Sequence, residues 1–181
     1  MAYIILTAPH GHEFLNDVIT PYVVDELDKM LTKNGHTVLA LVNKIPRSFG
    51  DMNRQSTRDT PYRRTIETVV RSENKPDFLL DIHGFPDDTD SPLGGHDIVV
   101  LRSYPKLQKE LPSKYHRLLN RHKVDKINVA IQSATVDNDV VKQALKNGVH
   151  AILVEHNESG PVGAYAQMHF MALEELLGGV K

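Results

Sequence analysis

Cysteine is absent from the 181 residues. Its absence removes thiol nucleophiles, cysteine-based zinc sites and disulfides together, and it fits a reducing compartment. An excess of one charge is lacking too: 21 Lys and Arg stand against 23 Asp and Glu, a net charge of −2. The chain therefore carries no global signature of nucleic-acid binding. No apolar run approaches the roughly 20 residues of a membrane helix. The opening MAYIILTAPH lacks a basic n-region, and its apolar stretch is shorter than a signal peptide needs. Internal repeats, linkers and low-complexity stretches are also missing. The expectation is one soluble, cytoplasmic domain over residues 1–181, able to bury about 70% of its unfolded surface without a disulfide or structural metal. Neither nucleic acid nor membrane is expected as a partner, and the sequence leaves the oligomeric state open.

Short β-branched runs alternate with longer polar segments of helical period. AYIILTA (2–8), HTVLALV (36–42), DFLLDIH (77–83), DIVVL (97–101), INVAIQ (127–132) and HAILVEH (150–156) read as strands. Several are near-continuous apolar runs, as strands buried on both faces are. Residues 16–34 read as a helix opened by Asn16 or Asp17 and closed by Asn34–Gly35. Pro61 marks the first turn of a helix over about 60–73, and VDNDVVKQALKNG gives an Asx-capped helix ending at Gly148. A last helix covers about 161–177, and 104–123 is helical in part, with Pro112 starting or breaking a helix. Such alternation gives an α/β fold, a three-layer αβα domain with a mostly parallel (mixed) central sheet. Ligands bind such sheets beyond the carboxyl ends of the strands.

Polar clusters occupy those ends. His10, His12 and Glu13 follow the first strand, His83 ends DFLLDIH, and Glu155 ends AILVE. The loop after the second strand, RSFGDMNR, adds Arg47, Asn53 and Arg54. Zinc takes neutral imidazole nitrogen and carboxylate oxygen, and a catalytic zinc keeps a fourth position open. His10, Glu13 and His83 supply such a two-His, one-Glu set, with His12 competing with Glu13 because residues two apart in extended chain share a direction. Glu155 at the end of an apolar strand is costly unless paired or functional; beside a metal it is placed to take and return a proton. Asp81 either orients a ligand histidine, or is structural, or lies on a face turned away from His83. Arginine's planar fork matches a carboxylate, and asparagine adds an uncharged donor. Arg47, Asn53 and Arg54 therefore read as a substrate clamp or an oxyanion partner.

Other charged residues read as surface. Arg58, Arg63, Arg64 and Arg71 form the solvated face of the following helix, Arg63 and Arg64 being weak substrate-binding candidates. Residues 102–123 carry seven Lys or Arg against Glu110 alone, again read as a solvated helix face. His96 and His156 adjoin strands near the proposed mouth.

Taken in order, PHGHE, then Arg47, Asp51, Asn53 and Arg54, then Asp81-x-His83, then Glu155 resembles N-formylglutamate amidohydrolase, within the carboxypeptidase A and aspartoacylase-like zinc hydrolases. PHGHE is closer to the aspartoacylase pattern, while PRSFGDMNR and GGHDIVVL are closer to the formylglutamate enzymes. The resemblance spans roughly residues 5–160 and implies a zinc-carboxypeptidase/phosphorylase-hydrolase-like fold. It also implies His10, Glu13 and His83 as metal ligands, Glu155 as general acid/base, and Arg47, Asn53 and Arg54 on the substrate. The expected function is a zinc-dependent amidohydrolase, one Zn(2+) per chain with other divalent metals possible. It would cleave an amide in an N-acyl amino acid or peptide-like substrate bearing a carboxylate, with Arg47 joining zinc at the oxyanion. A non-catalytic module binding carboxylates or peptides on the same fold is the alternative.

Overall fold

A computed structural model describes residues 1–10, 18–45, 51–86, 93–124, 126–134 and 137–178. In chain order its elements are β1 (Tyr3–Ala8), α1 (Thr20–Lys33), β2 (Thr37–Val42), α2 (Pro61–Arg71), β3 (Phe78–Phe85), β4 (Ile98–Arg102), α3 (Leu111–Arg121), β5 (Val129–Ser133), α4 (Asp139–Lys146), β6 (His150–Asn157) and α5 (Val162–Gly178). The strands form one sheet in the order β2-β1-β3-β6-β4-β5. Every neighbouring pair is parallel except β4 and β6, which run antiparallel. The protein is thus an α/β fold with a six-stranded, mostly parallel mixed sheet flanked by helices.

Local sequence explains where the elements start and stop. Thr60 caps α2, its hydroxyl accepting from the Arg63 N–H, and Pro61 opens the helix where a missing N–H costs nothing. Asn138 caps α4 by accepting from the Val141 N–H. Pro112 falls in the first turn of α3, so it starts that helix rather than breaking it. Gly35 and Gly148, at φ +88° and +75°, end α1 and α4 in the left-handed region that favours glycine. The first helix begins at Thr20, with Pro21 in its first turn, later than the expected Asn16 or Asp17; those two residues lie outside the described ones.

The core divides across the sheet. On one face Ile4, Leu6, Leu80, Ile82 and Val154 pack against α1, α3 and α5 through Val24, Leu27, Leu119 and Leu173. On the other, Ile5, Leu79, Val99 and Leu153 pack against α2 and α4 through Ile66, Val70, Val141 and Ala144. Side chains alternate along a strand, so Thr7, Asp81, His83 and Glu155 share the α2/α4 face. His156 points the other way, into the α3/α5 core. There its Nε2 lies 2.7 Å from His169 Nε2, and the Tyr115 hydroxyl sits 2.8 Å from His169 Nδ1. All three are fully buried. Burial, followed by the neighbouring His156, holds the His169 pKa well below its usual value. Among the described residues no helix is long and apolar enough to cross a membrane.

Candidate active site

The strand-end rule brings the expected residues together. His10, two residues beyond β1, and His83 and Glu155, paired in register on β3 and β6, line one cavity. The loop after β2 contributes Asp51, Asn53 and Arg54, and the approach to α4 contributes Asp137 and Asn138. The cavity measures about 90 Å³, well below the roughly 300–1,000 Å³ of a pocket that engulfs a whole ligand. It has room for an ion, a reacting bond and little more, so a substrate must extend across the rim.

Each histidine is backed by a carboxylate. His10 is buried, with Nε2 2.9 Å from Asp51 Oδ1. His83 is buried, with Nε2 3.1 Å from Asp81 Oδ2. A carboxylate only accepts, so each Nε2 donates to its carboxylate. Histidines that ligate metals are oriented in this way. The two rings meet edge to face with centroids 5.0 Å apart. Two imidazoles sharing a tetrahedral ion at about 2.1 Å from each nitrogen place their centroids roughly 5 Å apart. The spacing of the two rings matches that of a shared ion. Among the described residues no group of three metal-type side chains forms; Glu13, the expected third ligand, lies outside them, as do its rival His12 and the expected clamp residue Arg47.

Asp81 is the hub of the buried polar network. Its Oδ1 accepts from the Thr7 hydroxyl at 2.5 Å, and its Oδ2 accepts from Asn138 Nδ2 at 2.7 Å as well as from His83. Burial alone would raise its pKa, but the charge of His83 and the bonds from His83, Thr7 and Asn138 outweigh that and hold it below the ordinary value. Asp81 thus faces His83 and bonds it. Asn53 Nδ2 lies 2.7 Å from the same His83 nitrogen, while Asn53 Oδ1 is buried without a hydrogen-bond partner. A half-turn of this amide would let Oδ1 accept from Nε2–H beside Asp81.

Arg54 is half-exposed at the rim, its Nε donating to Asp51 Oδ2 (3.1 Å) and its Nη1 to the Asp137 carbonyl (3.0 Å). Two bonds thus fix its plane while the side chain still faces the cavity. Tyr104, at φ +52°, reaches over from the end of β4 to Asp137 and to the Asn138 carbonyl. Burial and the Asp137 carboxylate raise the pKa of its hydroxyl, so it stays protonated as the donor of both bonds.

Several expectations need correction. Arg63 is no part of a solvated face: it is 1% exposed and bonded to Asp139. It shares the inward stripe of Ile66 and Val70 at the three- and four-residue spacing of a helix, a signal present in the sequence. His96 and His156 do not line the cavity, because strand alternation turns His156 into the opposite core. Sequence reading also missed Thr7 and Asn138, whose partners come from other elements. In the basic segment, α3 buries Tyr115, Leu118 and Leu119 and leaves Lys114, Arg117 and Arg121 outside, as expected of a solvated face.

No family model and no curated protein matches the chain. Solved structures do match in fold. Ami1, an N-acetylmuramyl-L-alanine amidase from Mycobacterium smegmatis, superposes with a TM-score of 0.65 at 14% identity, over 98% of this chain and 97% of that one. The CwlD amidase of Clostridioides difficile, solved with the GerS lipoprotein, gives 0.59 at 13% identity, over 99% and 100%. Csd4 of Helicobacter pylori, a D,L-carboxypeptidase, gives 0.63 at 15%, over 98% of this chain but 50% of its own length. At such identities the likeness is one of fold. It overturns the kinship with N-formylglutamate amidohydrolase and the aspartoacylase-like enzymes, and with it the zinc-carboxypeptidase/phosphorylase-hydrolase-like label, since the neighbours are N-acetylmuramoyl-L-alanine amidases. The physical reason is that H-x-x-E, D-x-H and a strand-end glutamate are short patterns dictated by zinc chemistry, so they report a kind of site more than a lineage. What the chain shares with the amidases is the α/β fold.

Proposed function

We propose that the protein is a zinc-dependent amidohydrolase acting on a peptide-like amide next to a substrate carboxylate. The observation that carries this reading is the pair of carboxylate-backed imidazoles, His10–Asp51 and His83–Asp81, with Glu155 in register beside His83. His10 and His83 would hold the ion, with Glu13 as the third ligand. Zinc, when bound, lowers the pKa of a coordinated water toward roughly 7 and polarises the scissile carbonyl.

The chain's own residues supply the remainder. Glu155 takes the proton of the attacking water and delivers it to the departing nitrogen. Arg54, its plane fixed by Asp51 and Asp137, binds the substrate carboxylate, and the Asn53 amide donates beside it, which orients the reacting bond. Arg47 is proposed for the oxyanion. Because the cavity holds only the reacting bond, the flanking groups of the substrate lie along the rim. The named activity of the fold neighbours supports N-acetylmuramoyl-L-alanine as the first amide to offer, ahead of simpler N-acyl amino acids.

Glu155→Gln tests the assignment. The variant should keep its metal and its substrate affinity while kcat falls by about 10²–10⁴-fold, the usual worth of a positioned acid/base. Wild-type turnover in a metal-loaded Glu155→Gln protein would refute the role.

A further inference from the structure

Arg63 spends a charge in the interior. It is 1% exposed, and its Nε is buried with no hydrogen-bond partner. Burying a charge costs several kcal/mol unless it is well paired, and an unsatisfied buried donor adds to that cost. The obvious partner, Asp139, does not by itself account for Arg63. Arg58, in the loop just before α2, already grips that carboxylate with both ends of its fork, Nε at 2.8 Å and Nη2 at 2.6 Å.

What the Arg63 side chain does and that of Arg58 does not is bond the backbone carbonyls of the loop after β2 at residues 52 and 54. Its Nη1 donates to the carbonyls of Met52 (2.8 Å) and Arg54 (3.2 Å). Its Nη2 donates to Asp139 Oδ2 (2.5 Å) and to Gln143 Oε1 (3.2 Å). The carbonyl between those two, that of Asn53, accepts from the Asp139 backbone N–H at 3.0 Å. Three successive carbonyls, 52 to 54, are thus fixed to α2 and α4, and the guanidinium supplies two of the three bonds. The side chains that this loop carries are those that face the histidines: Asp51 on His10, Asn53 on His83, and Arg54 at the rim.

We infer that Arg63 is a positioning residue for the metal centre. It touches neither ion nor substrate; its fork sets the loop so that Asp51 and Asn53 meet the two imidazoles and Arg54 faces the substrate. Arginine is required because one planar group must reach two carbonyls and a carboxylate at once, which a lysine's point charge cannot do. The inference rests on the zinc amidohydrolase reading.

The test compares Arg63→Lys with Arg58→Gln, which loses both side-chain bonds to the same Asp139 but none to the carbonyls of residues 52–54. Zinc affinity by chelator competition, kcat and KM, thermal melting, and amide hydrogen exchange of residues 51–54 in the metal-free protein are measured on each. Arg63→Lys should bind zinc about 10–100-fold more weakly, as loss of an outer-shell partner does, with a raised KM and faster exchange confined to the loop. Arg58→Gln should melt earlier yet keep its zinc affinity within about twofold. Should Arg63→Lys not fold, Gln143→Ala, which removes one acceptor from the same guanidinium, is expected to weaken zinc binding about threefold by the worth of one hydrogen bond. A folded variant of either kind with wild-type zinc affinity and wild-type loop exchange overturns the assignment. A wild-type protein that binds no zinc removes the amidohydrolase reading instead, and the loop exchange then decides the positioning role alone.

Discussion

Replacing Asp81 by asparagine keeps the shape of the network and removes its charge. Asp81 accepts three bonds, from Thr7, Asn138 and His83. An asparagine in its place has one oxygen and one NH2. The oxygen can stay on Asn138 and His83, and the NH2 then faces Thr7 Oγ1, whose hydroxyl can turn to the Leu80 carbonyl 3.4 Å away. The network therefore re-forms in its three bonds, and the main cost is the difference between charge-assisted and neutral bonds. At about 1.5–3 against 0.5–1.5 kcal/mol per bond, partly offset by the lower cost of burying a neutral group, the fold should lose about 1–2 kcal/mol. His83 loses the carboxylate that makes its imidazole a stronger ligand, so zinc affinity should fall about 10–100-fold, equivalent to about 1.4–2.7 kcal/mol. Urea unfolding of the metal-free protein reads the first number and chelator competition the second. A folded Asp81→Asn protein with wild-type zinc affinity would refute the orienting role, whatever its stability.

Two further outcomes follow from the same structure. The His169 pKa is well below its unfolded value near 6.5, so below that pH the unfolded chain binds a proton that the buried ring refuses. Stability of the metal-free protein should fall as the pH drops from about 6.5 to 5; a urea midpoint that stays constant over that range would contradict the burial argument. Asn138→Ala removes both the cap of α4 and a donor to Asp81. It should cost about 1–2 kcal/mol and weaken zinc binding, whereas a loss of stability alone would show that Asn138 only caps.

The sheet was legible because its strands are buried on both faces and read as apolar runs between capped helices. The strand-end rule then placed His10, His83 and Glu155 together correctly, because residues at the carboxyl ends of neighbouring parallel strands must converge. The reversed direction of β4 was not legible: IVVLR has the same apolar pattern whichever way it runs. Nor were the supports of the site. Asp51 bonds His10, and Asn138 and Thr7 bond Asp81, across long stretches of sequence, and no local pattern announces such a partner. Arg63 was legible in principle, since it shares a helical stripe with Ile66 and Val70, but its charge argued for the surface more strongly than its spacing argued for the core. The family was misread for a different reason. Short ligand motifs follow from what zinc requires, so they recur wherever that chemistry is built.

Elemental analysis of protein purified without a histidine tag, beside a His83→Ala variant, tests the central claim most directly. About one zinc per chain in the wild type, lost in the variant, is the result the proposed site predicts, since a zinc site of three protein ligands does not hold its ion after losing one. A wild-type protein that stays metal-free after zinc is added and dialysed away, or a His83→Ala protein that keeps the full complement, would contradict it.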